Sequence, residues 1–216
     1  MLKVKGVIFD MDGLMINSEQ IALDSNLEAA KQLNIELTKT VALELIGRNI
    51  ENTYEYLKET YGNDYPCVAL RQRAIALRQA YYQNHDIEVK EGLYDLLEYL
   101  KKQNIKMAVA SSTKTEKVIS NLNKIKVIDY FDYIVGGDQE PKGKPAPDIF
   151  LNACAGLQIK PSEALVLEDS KNGILASYNA NIKVICIPDL IKHNQEITAL
   201  TYKTLNSLKE VINYVK

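Results

Sequence analysis

Short runs of apolar, β-favouring residues alternate with helical patterns along most of the chain. Five of these runs predict strands that are buried on both faces of a sheet. They fall at Val4–Phe9, Lys106–Ala110, Tyr133–Val135, Leu165–Leu167 and Lys183–Ile187. Between the first two runs, the leucines of 93–100 recur at the spacing of one helical face. Strands that alternate with helices predict an α/β fold, with a parallel sheet between two layers of helices.

The stretch from residue 17 to residue 90 has helical patterns and no convincing strand. Its apolar residues keep helical spacing in three series. The series are Leu23–Leu33, Ile50–Tyr61 and Leu70–Tyr81. Turn signals at Gly47 and at residues 62–66 separate them. A crossover between parallel strands needs only about a dozen residues, so we predict a small helical module inserted after the first strand.

The predicted organisation is an α/β core domain formed by residues 1–16 and 91–216, with a helical cap domain at residues 17–90. The inserted module has eight Lys or Arg and eleven Asp or Glu, so its net charge is negative. A module that clamps a long polyanion would be basic, which favours a small substrate over nucleic acid. With 46% hydrophobic residues and a formal net charge of −2, the whole chain has the composition of a soluble globular protein.

Targeting and redox signals are also absent from the sequence. No apolar run approaches the ~18 residues of a membrane span, and Met1–Phe9 lacks the apolar region of a signal peptide. We therefore expect a cytoplasmic protein. The three cysteines are Cys67, Cys154 and Cys186. Their odd number and wide spacing predict buried free thiols rather than disulfides or a zinc site.

Two acidic residues, Asp10 and Asp12, directly follow the first predicted strand. Open parallel sheets bind ligands at the carboxyl ends of their strands. Carboxylates this close repel each other unless a cation lies nearby, and a hard cation such as Mg²⁺ would meet that need. A calcium loop is excluded, because the glycine and glutamate that it requires fall on Met15 and Ile21. A solvated turn remains the alternative.

Ser111 follows the second predicted strand and would lie beside Asp10 if the two strands are neighbours. A serine in this position is commonly a helix N-cap. Thr113 and Glu116, however, fit a capping box for the next helix. The hydroxyl of Ser111 therefore has two open interpretations, a helix cap or a functional group.

Lys144 and the pair Glu168–Asp169 are the remaining candidates. Lys144 stands in the sequence GKPAPD, whose two prolines would hold its ammonium group in place; the alternative is a surface charge. Glu168 and Asp169 follow the fourth predicted strand, where acids also stabilise helix N-termini. Neither a Walker sequence nor G-x-G-x-x-G is present, which argues against a nucleotide site.

In their order and spacing, these motifs resemble those of the haloacid dehalogenase superfamily. Within it, the chain is similar to the β-phosphoglucomutase-like phosphatases and mutases. The shared motifs are D-x-D-G, a strand followed by Ser, K-P-x-P-D and E-D-S-x-x-G, and they lie between Val7 and about Ala180. The resemblance implies a Rossmann-like parallel-sheet core with an inserted helical cap.

The resemblance also implies a role for each matching residue. The nucleophile would be Asp10, and the general acid/base would be Asp12. The phosphoryl group would be held by Ser111, Ser112 and Lys144. The ligands of a Mg²⁺ cofactor would be Asp10, Asp12, Glu168 and Asp169. The cap residues that contact substrate would be Arg48 and Asn49.

The activity implied is that of a Mg²⁺-dependent phosphatase acting on a small phosphorylated metabolite, a sugar or polyol phosphate, through an aspartyl-phosphate. The alternatives are a phosphohexomutase and a non-catalytic binding protein on the same fold. Mutase members have a histidine where this chain has Ala22, which favours the phosphatase. We expect a monomer that binds neither nucleic acid nor membranes.

Overall fold

The computed structural model describes residues 1–48 and 50–216. The chain divides into two compact units. The first consists of Met1–Asn17 and Ile87–Lys216 and contains the sheet, and the second is the helical segment Ser18–Asp86. We call them the sheet unit and the helical unit. The role of the helical unit as a cap stays a prediction.

The sheet unit is built on six parallel strands, which confirms the predicted α/β fold. The strands are β1 Gly6–Phe9, β2 Lys106–Ser111, β3 Tyr133–Gly136, β4 Ala164–Glu168, β5 Lys183–Cys186 and β6 Lys203–Thr204. Their order across the sheet is β3-β2-β1-β4-β5-β6. The strand order reverses between β1 and β4, and ligands bind at such switch points in open parallel sheets.

The helices lie between the strands and within the inserted segment. They are α1 Ser18–Gln32, α2 Lys39–Glu44, α3 Ile50–Tyr61, α4 Cys67–Asn84, α5 Leu93–Lys102, α6 Thr115–Lys124, α7 Asp148–Leu157, α8 Lys171–Asn179 and α9 Gln195–Thr198. Short 3-10 turns occupy Ile128–Tyr130, Gly137–Gln139, Pro161–Glu163 and Leu208–Asn213. Helices α5 to α9 belong to the sheet unit, and α1 to α4 form the helical unit.

The core of the sheet unit has two layers because successive residues of a strand face opposite sides. Val7 and Phe9 of β1 pack with apolar residues of α5 and α6. Ile8, between them, packs with apolar residues of α7 and α8. All three side chains are fully buried. Helices on both faces explain why the strands read as continuous apolar runs.

The helical unit has its own small core. It is formed by Ala29, Ala30, Leu57, Cys67, Leu70 and Ala74. The sequence did not indicate α2, which is six residues long and begins at Lys39. Thr38 caps it, because its hydroxyl oxygen accepts a hydrogen bond from the Val41 amide. Leu33 was expected on the apolar face of the first helix, but it follows the end of α1 and is exposed.

All three cysteines are free and buried, as predicted. Burial raises the pKa of Cys154 to about 11, and burial with the nearby acidic groups raises that of Cys186 to about 12. These thiols are therefore poor nucleophiles near neutral pH.

In the described parts of the chain, no helix combines the length and hydropathy needed to cross a lipid bilayer.

Candidate active site

The predicted site residues of the sheet unit meet at the carboxyl ends of three adjacent strands. Asp10 follows β1, Ser111 ends β2 and Glu168 ends β4. The Asp10 amide donates a hydrogen bond to the Leu167 carbonyl at 3.0 Å, which continues the pairing of β1 with β4 past the end of the strand. This bond brings Asp10 beside Glu168 at the switch point of the sheet.

Lys144 reaches this point from the loop before α7 and is the centre of the site. Its Nζ donates to Asp10 Oδ1 at 2.5 Å, to Glu168 Oε1 at 2.7 Å and to the Ala110 carbonyl at 3.2 Å. The ammonium also lies 4.8 Å from the centre of the Phe150 ring. An ammonium has three protons to donate, so each has an acceptor. The side chain is only 5% exposed, which excludes the surface-charge interpretation.

The buried charges of this site shift each other's ionisation. Burial raises the pKa of Asp10 to about 7; Lys144 opposes this shift, whereas the charges of Glu168 and Asp12 add to it. Burial acts to lower the pKa of Lys144, but the carboxylates of Asp10 and Glu168 outweigh it and hold that pKa above its usual value. Lys144 is therefore a permanent cation. A further positive charge near Asp10 would stabilise the ionised form of its carboxyl group.

Glu168 is fully buried and both of its carboxylate oxygens are engaged. Oε1 accepts from Lys144, and Oε2 accepts from the Asp169 amide at 2.9 Å, the Ser170 amide at 2.8 Å and the Ser170 hydroxyl at 3.0 Å. The Ser170 hydroxyl oxygen in turn accepts from the Gly173 amide and caps α8. A Cβ added at Gly173 would lie 1.6 Å from Glu168 Oε1, so the E-D-S-x-x-G motif needs its glycine for space.

Asp12 is held by two hydroxyl groups from the segment after β2. Thr113 Oγ1 donates to Asp12 Oδ2 at 2.8 Å, and Ser111 Oγ donates to the same oxygen at 3.4 Å. The Ser111 hydroxyl oxygen also accepts from the Thr113 amide at 3.1 Å. These contacts show that Ser111 reaches a candidate catalytic residue.

The predicted capping box at Thr113 and Glu116 is wrong. Helix α6 begins at Thr115, one position later than the box requires, and residue 114 provides no side-chain cap. Asp138 Oδ1 accepts both the amide and the hydroxyl proton of Thr115 at 2.7 Å. The cap thus comes from a residue distant in sequence, and Thr113 is left to bind Asp12. No local pattern could have indicated this.

Two other predicted residues lie at the edge of this group. Asp169 is 4% exposed and follows Glu168 after β4. Its carbonyl oxygen lies 2.5 Å from Nε2 of His193, a contact that sequence reasoning missed. His193 comes from the loop after β5 and belongs to no motif, so nothing in its neighbours along the chain marks it. Ser112, predicted to bind phosphate, has an exposed side chain.

The donor set fits a magnesium ion. Asp10, Asp12, Glu168 and Asp169 offer only oxygen, the donor that Mg²⁺ prefers, and Lys144 neutralises only part of their charge. The described residues contain no group of three or more His, Cys, Asp or Glu that could hold a metal by themselves. Mg²⁺ does not require one, because it usually keeps several waters and binds one or two carboxylates with a substrate phosphate.

The predicted specificity residues belong to the helical unit. Arg48 follows Gly47, and its Nε donates to the Glu44 carbonyl at 2.5 Å while its guanidinium lies 4.4 Å from the centre of the Tyr56 ring. The companion prediction, Asn49, lies outside the described residues. Whether either residue contacts substrate stays a prediction.

Comparison with known proteins shows the family to which the chain belongs. A family model described as haloacid dehalogenase-like hydrolase matches residues 7–187, which include every candidate residue named above except His193. The chain belongs to the haloacid dehalogenase-like hydrolases. The matched segment runs from β1 past the end of β5, so it covers all of the strand ends that form the candidate site.

Named relatives of this hydrolase agree with the predicted enzyme class. A phosphorylated carbohydrates phosphatase from Thermotoga maritima is 28% identical over 182 residues, 84% of each chain. Pyrophosphatase PpaX from Bacillus cereus is 26% identical over 88% of this chain and 86% of its own. These names confirm the prediction of an enzyme of the phosphatase class.

The solved structures agree with the predicted fold. The β-phosphoglucomutase pgmB from Clostridium difficile matches 96% of this chain and 93% of its own with a TM-score of 0.79. At 22% sequence identity, this match shows the fold alone. It confirms the resemblance to β-phosphoglucomutase-like proteins at the level of architecture.

Proposed function

We propose that this hydrolase is a Mg²⁺-dependent phosphatase that cleaves a small phosphorylated metabolite, a sugar or polyol phosphate, through an aspartyl-phosphate on Asp10. The observation that carries the proposal is the buried triad in which Lys144 donates to both Asp10 and Glu168. It pairs a carboxylate nucleophile with a fixed cation at the switch point of the sheet. Phosphoryl transfer depends mainly on such positioning and charge compensation.

In the first step, an Asp10 carboxylate oxygen attacks phosphorus while the ester oxygen leaves. Lys144 stabilises negative charge on the transferring group. Asp12 gives its proton to the leaving oxygen, which departs as an alcohol. In the second step, Asp12 takes a proton from water, and that water attacks phosphorus. Inorganic phosphate is released, and the carboxylate of Asp10 is restored.

Thr113 and Ser111 support the role of Asp12. Both hydroxyls donate to Asp12 Oδ2, which fixes the orientation of the carboxyl group. We propose that Ser111 also binds the phosphoryl group, with Ser112 as a second hydroxyl on the same segment. Thr113 is a positioning residue, because it acts through Asp12.

We propose that Asp10, Asp12 and Asp169 hold the magnesium ion. When bound, the ion offsets the negative charge of the carboxylates and of the phosphate. Glu168, also predicted as a ligand, is already engaged at both oxygens, so we assign it the positioning of Lys144.

The cytoplasmic location and the monomeric state expected from the sequence stay predictions.

The choice of a carbohydrate-like substrate is supported by the relative from Thermotoga maritima, whose name specifies phosphorylated carbohydrates. The test is a phosphate-release screen over phosphorylated metabolites with Mg²⁺, run beside Asp10→Asn. We expect release of phosphate by the wild type and none above background by the variant. Formation of an isomeric sugar phosphate without free phosphate would identify a phosphohexomutase instead. No turnover of any ester, a generic aryl phosphate included, would support a binding protein.

A further inference from the structure

His193 is a histidine of the sheet unit that contacts the candidate site from outside its motifs. The chain has two histidines, His85 and His193. His193 lies in the loop after β5, beyond the residues 7–187 that the family model matches. Its Nε2 lies 2.5 Å from the backbone carbonyl oxygen of Asp169. Because a carbonyl oxygen can only accept a hydrogen bond, Nε2 carries the proton and donates.

The Asp169 carbonyl lies where the chain leaves the sheet for α8. The pairing of β4 with β5 continues past the end of β5, because the Ile187 amide donates to the Glu168 carbonyl at 2.8 Å. The next carbonyl along the chain is that of Asp169, and its donor is the His193 side chain. His193 therefore extends the contact between the two strand ends by one residue.

This contact holds one side of a peptide group whose other side is also held. The Asp169 carbonyl and the Ser170 amide belong to the same planar peptide group, in which C=O and N–H point in opposite directions. His193 donates to the carbonyl, and the Ser170 amide donates to Glu168 Oε2 at 2.8 Å. Rotation of this plane would stretch both hydrogen bonds, so the two partners together fix it.

The fixed peptide group restricts where the Asp169 side chain can point. The amide of Asp169 itself also donates to Glu168 Oε2, at 2.9 Å. The backbone is thus held on both sides of its Cα, which fixes the direction of the bond from Cα to Cβ. An aspartate side chain has only two further torsions, so its carboxyl group is confined to a small volume.

His193 is itself placed by the start of α9. The next residue, Asn194, caps this helix, and its Oδ1 accepts a hydrogen bond from the Ile197 amide at 3.0 Å. Ile197 is buried and packs with apolar residues of β5 and α8. The loop is therefore anchored next to His193, so little further conformational entropy is lost when the ring binds the Asp169 carbonyl.

We propose that His193 is a positioning residue that holds Asp169 ready to bind the magnesium ion. The inference rests on the proposed function, in which Asp169 is a ligand of that ion. His193 acts through the backbone of Asp169 and is not itself proposed as a ligand. A ligand that is held in place before the ion arrives loses less conformational entropy on binding, which raises the affinity.

The binding test uses Mn²⁺, which favours the same octahedral set of oxygen donors as Mg²⁺. The electron paramagnetic resonance signal of free Mn²⁺ gives its Kd for the intact enzyme, without substrate or turnover. We expect His193→Leu, which removes the donor, to raise this Kd roughly ten-fold, as for other residues that orient a metal ligand. The Mg²⁺ concentration that gives half-maximal phosphate release should rise by a similar factor.

Two further variants at this position make the result specific to the hydrogen bond. His193→Gln has an amide N–H that can take the place of Nε2–H, so it should recover most of the lost Mn²⁺ affinity. His193→Ala, which also lacks the donor, should bind Mn²⁺ as weakly as His193→Leu, and it replaces that variant if the leucine disturbs folding. Thermal melts report the folding of each variant.

The other histidine provides the matched control. Nδ1 of His85 lies 2.9 Å from the Tyr81 carbonyl oxygen in the helical unit. His85→Leu therefore deletes the same kind of contact in the other unit and should leave Mn²⁺ affinity unchanged. A second comparison asks whether the effect passes through Asp169. In an Asp169→Asn background, His193→Leu should cause no further loss of Mn²⁺ affinity, because the carboxylate that it positions is gone.

The inference is overturned if folded His193→Leu or His193→Ala binds Mn²⁺ as the wild type does. It is also overturned if His193→Gln binds as weakly as these variants, or if His193→Leu lowers the affinity further in Asp169→Asn. Failure of the proposed function gives a different result. If Asp169→Asn weakens Mn²⁺ binding and His193→Leu does not, the inference alone fails. If Asp169→Asn binds Mn²⁺ as tightly as the wild type, the proposed ligand is wrong and the inference fails with it.

Discussion

The ammonium group of Lys144 is buried, and its partners both stabilise it and hold it beside Asp10. A lysine that is 5% exposed is stable only when its ammonium is fully hydrogen-bonded and its charge is balanced. Glu168 balances it from a position that is itself fully buried and capped by backbone amides. Glu168 thus holds a cation beside Asp10. This cation offsets the repulsion that a carboxylate meets when it approaches a phosphate dianion.

The hydroxyl of Thr113 should matter for proton transfer and not for phosphoryl binding. Thr113→Val keeps the shape of the side chain but removes the 2.8 Å donor to Asp12, so we expect kcat for an alkyl phosphate to fall roughly ten-fold, the cost of one hydrogen bond of ~1.5 kcal/mol. An aryl phosphate, whose leaving group needs no proton, should be affected much less. The measurement is kcat across leaving groups of rising pKa.

Two comparisons make this test specific. Thr113→Ser should restore the alkyl rate, because it returns the hydroxyl, and Asp12→Asn should lower that rate by roughly two to four decades, the usual scale for loss of a general acid or base. An equal loss on alkyl and aryl substrates in Thr113→Val would mean that the residue supports the segment after β2 rather than Asp12.

In the first turn of α8, a glycine is required by side-chain space rather than by backbone freedom. A methyl group at Gly173 would overlap Glu168 Oε1, so Gly173→Ala should displace the carboxylate that holds Lys144. We expect a loss of more than ten-fold in kcat/KM and a fall of about 1–3 kcal/mol in the free energy of unfolding, the usual cost of overpacking. Steady-state kinetics and urea denaturation measure the two effects.

Gly143→Ala is the matched control for this substitution. Gly143 is adjacent to Lys144 in sequence, but a Cβ added there would meet nothing within 4 Å. We expect activity and stability near those of the wild type. Unchanged activity in Gly173→Ala would contradict the account of Glu168 as the anchor of Lys144, whereas an equal loss in both variants would indicate a general sensitivity of the site to loop changes.

Elements with a strong local signal were predictable, and elements defined by distant contacts were not. The five longer strands lie at the predicted apolar runs, and the buried face of α5 follows its leucines. The two-residue β6 has exposed side chains and hence no apolar run. The first turn of α6 is capped by Asp138 from another loop, so the local Thr113–Glu116 pattern misled.

The same distinction applies to the candidate site. Asp10, Glu168 and Lys144 were found because each belongs to a motif at a predicted strand end or in a proline-stiffened loop. Their hydrogen bonds to one another depend on strand order, which brings β4 beside β1. His193 and Thr113 could not be assigned, because their partners are defined only once the loops have folded.

At the scale of the whole molecule, the two units differ in chemistry. The sheet unit holds the candidate catalytic carboxylates and uses lysine as its cation, and the helical unit holds every arginine of the chain. We predict that the sheet unit carries the reaction chemistry and that the inserted helical unit determines substrate recognition. This division fits the observation that function is carried by sites placed on a shared fold.

The balance of charge in the sheet unit also predicts a requirement for metal. Lys144 pairs with Asp10 and Glu168, and Asp12 and Asp169 add two more carboxyl groups to the candidate site. Removal of divalent cations with EDTA should therefore abolish turnover, and Mg²⁺ should restore it. Ca²⁺ should support turnover poorly, because it takes more ligands at longer distances and would recruit both oxygens of Asp10. Phosphate release is the readout, with a thermal melt to verify folding. Full activity in metal-free protein would contradict the metal-assisted mechanism.

The most direct test of the central claim is to identify the atom that receives the phosphoryl group. A single turnover quenched in acid and reduced with borohydride converts an aspartyl-phosphate to homoserine, and tandem mass spectrometry of the tryptic peptide Gly6–Lys31 locates the change. We predict homoserine at position 10, unmodified Asp12, and no conversion in Asp10→Asn. Complete turnover with Asp10 unmodified under the same quench, or conversion at another carboxylate, would contradict the account.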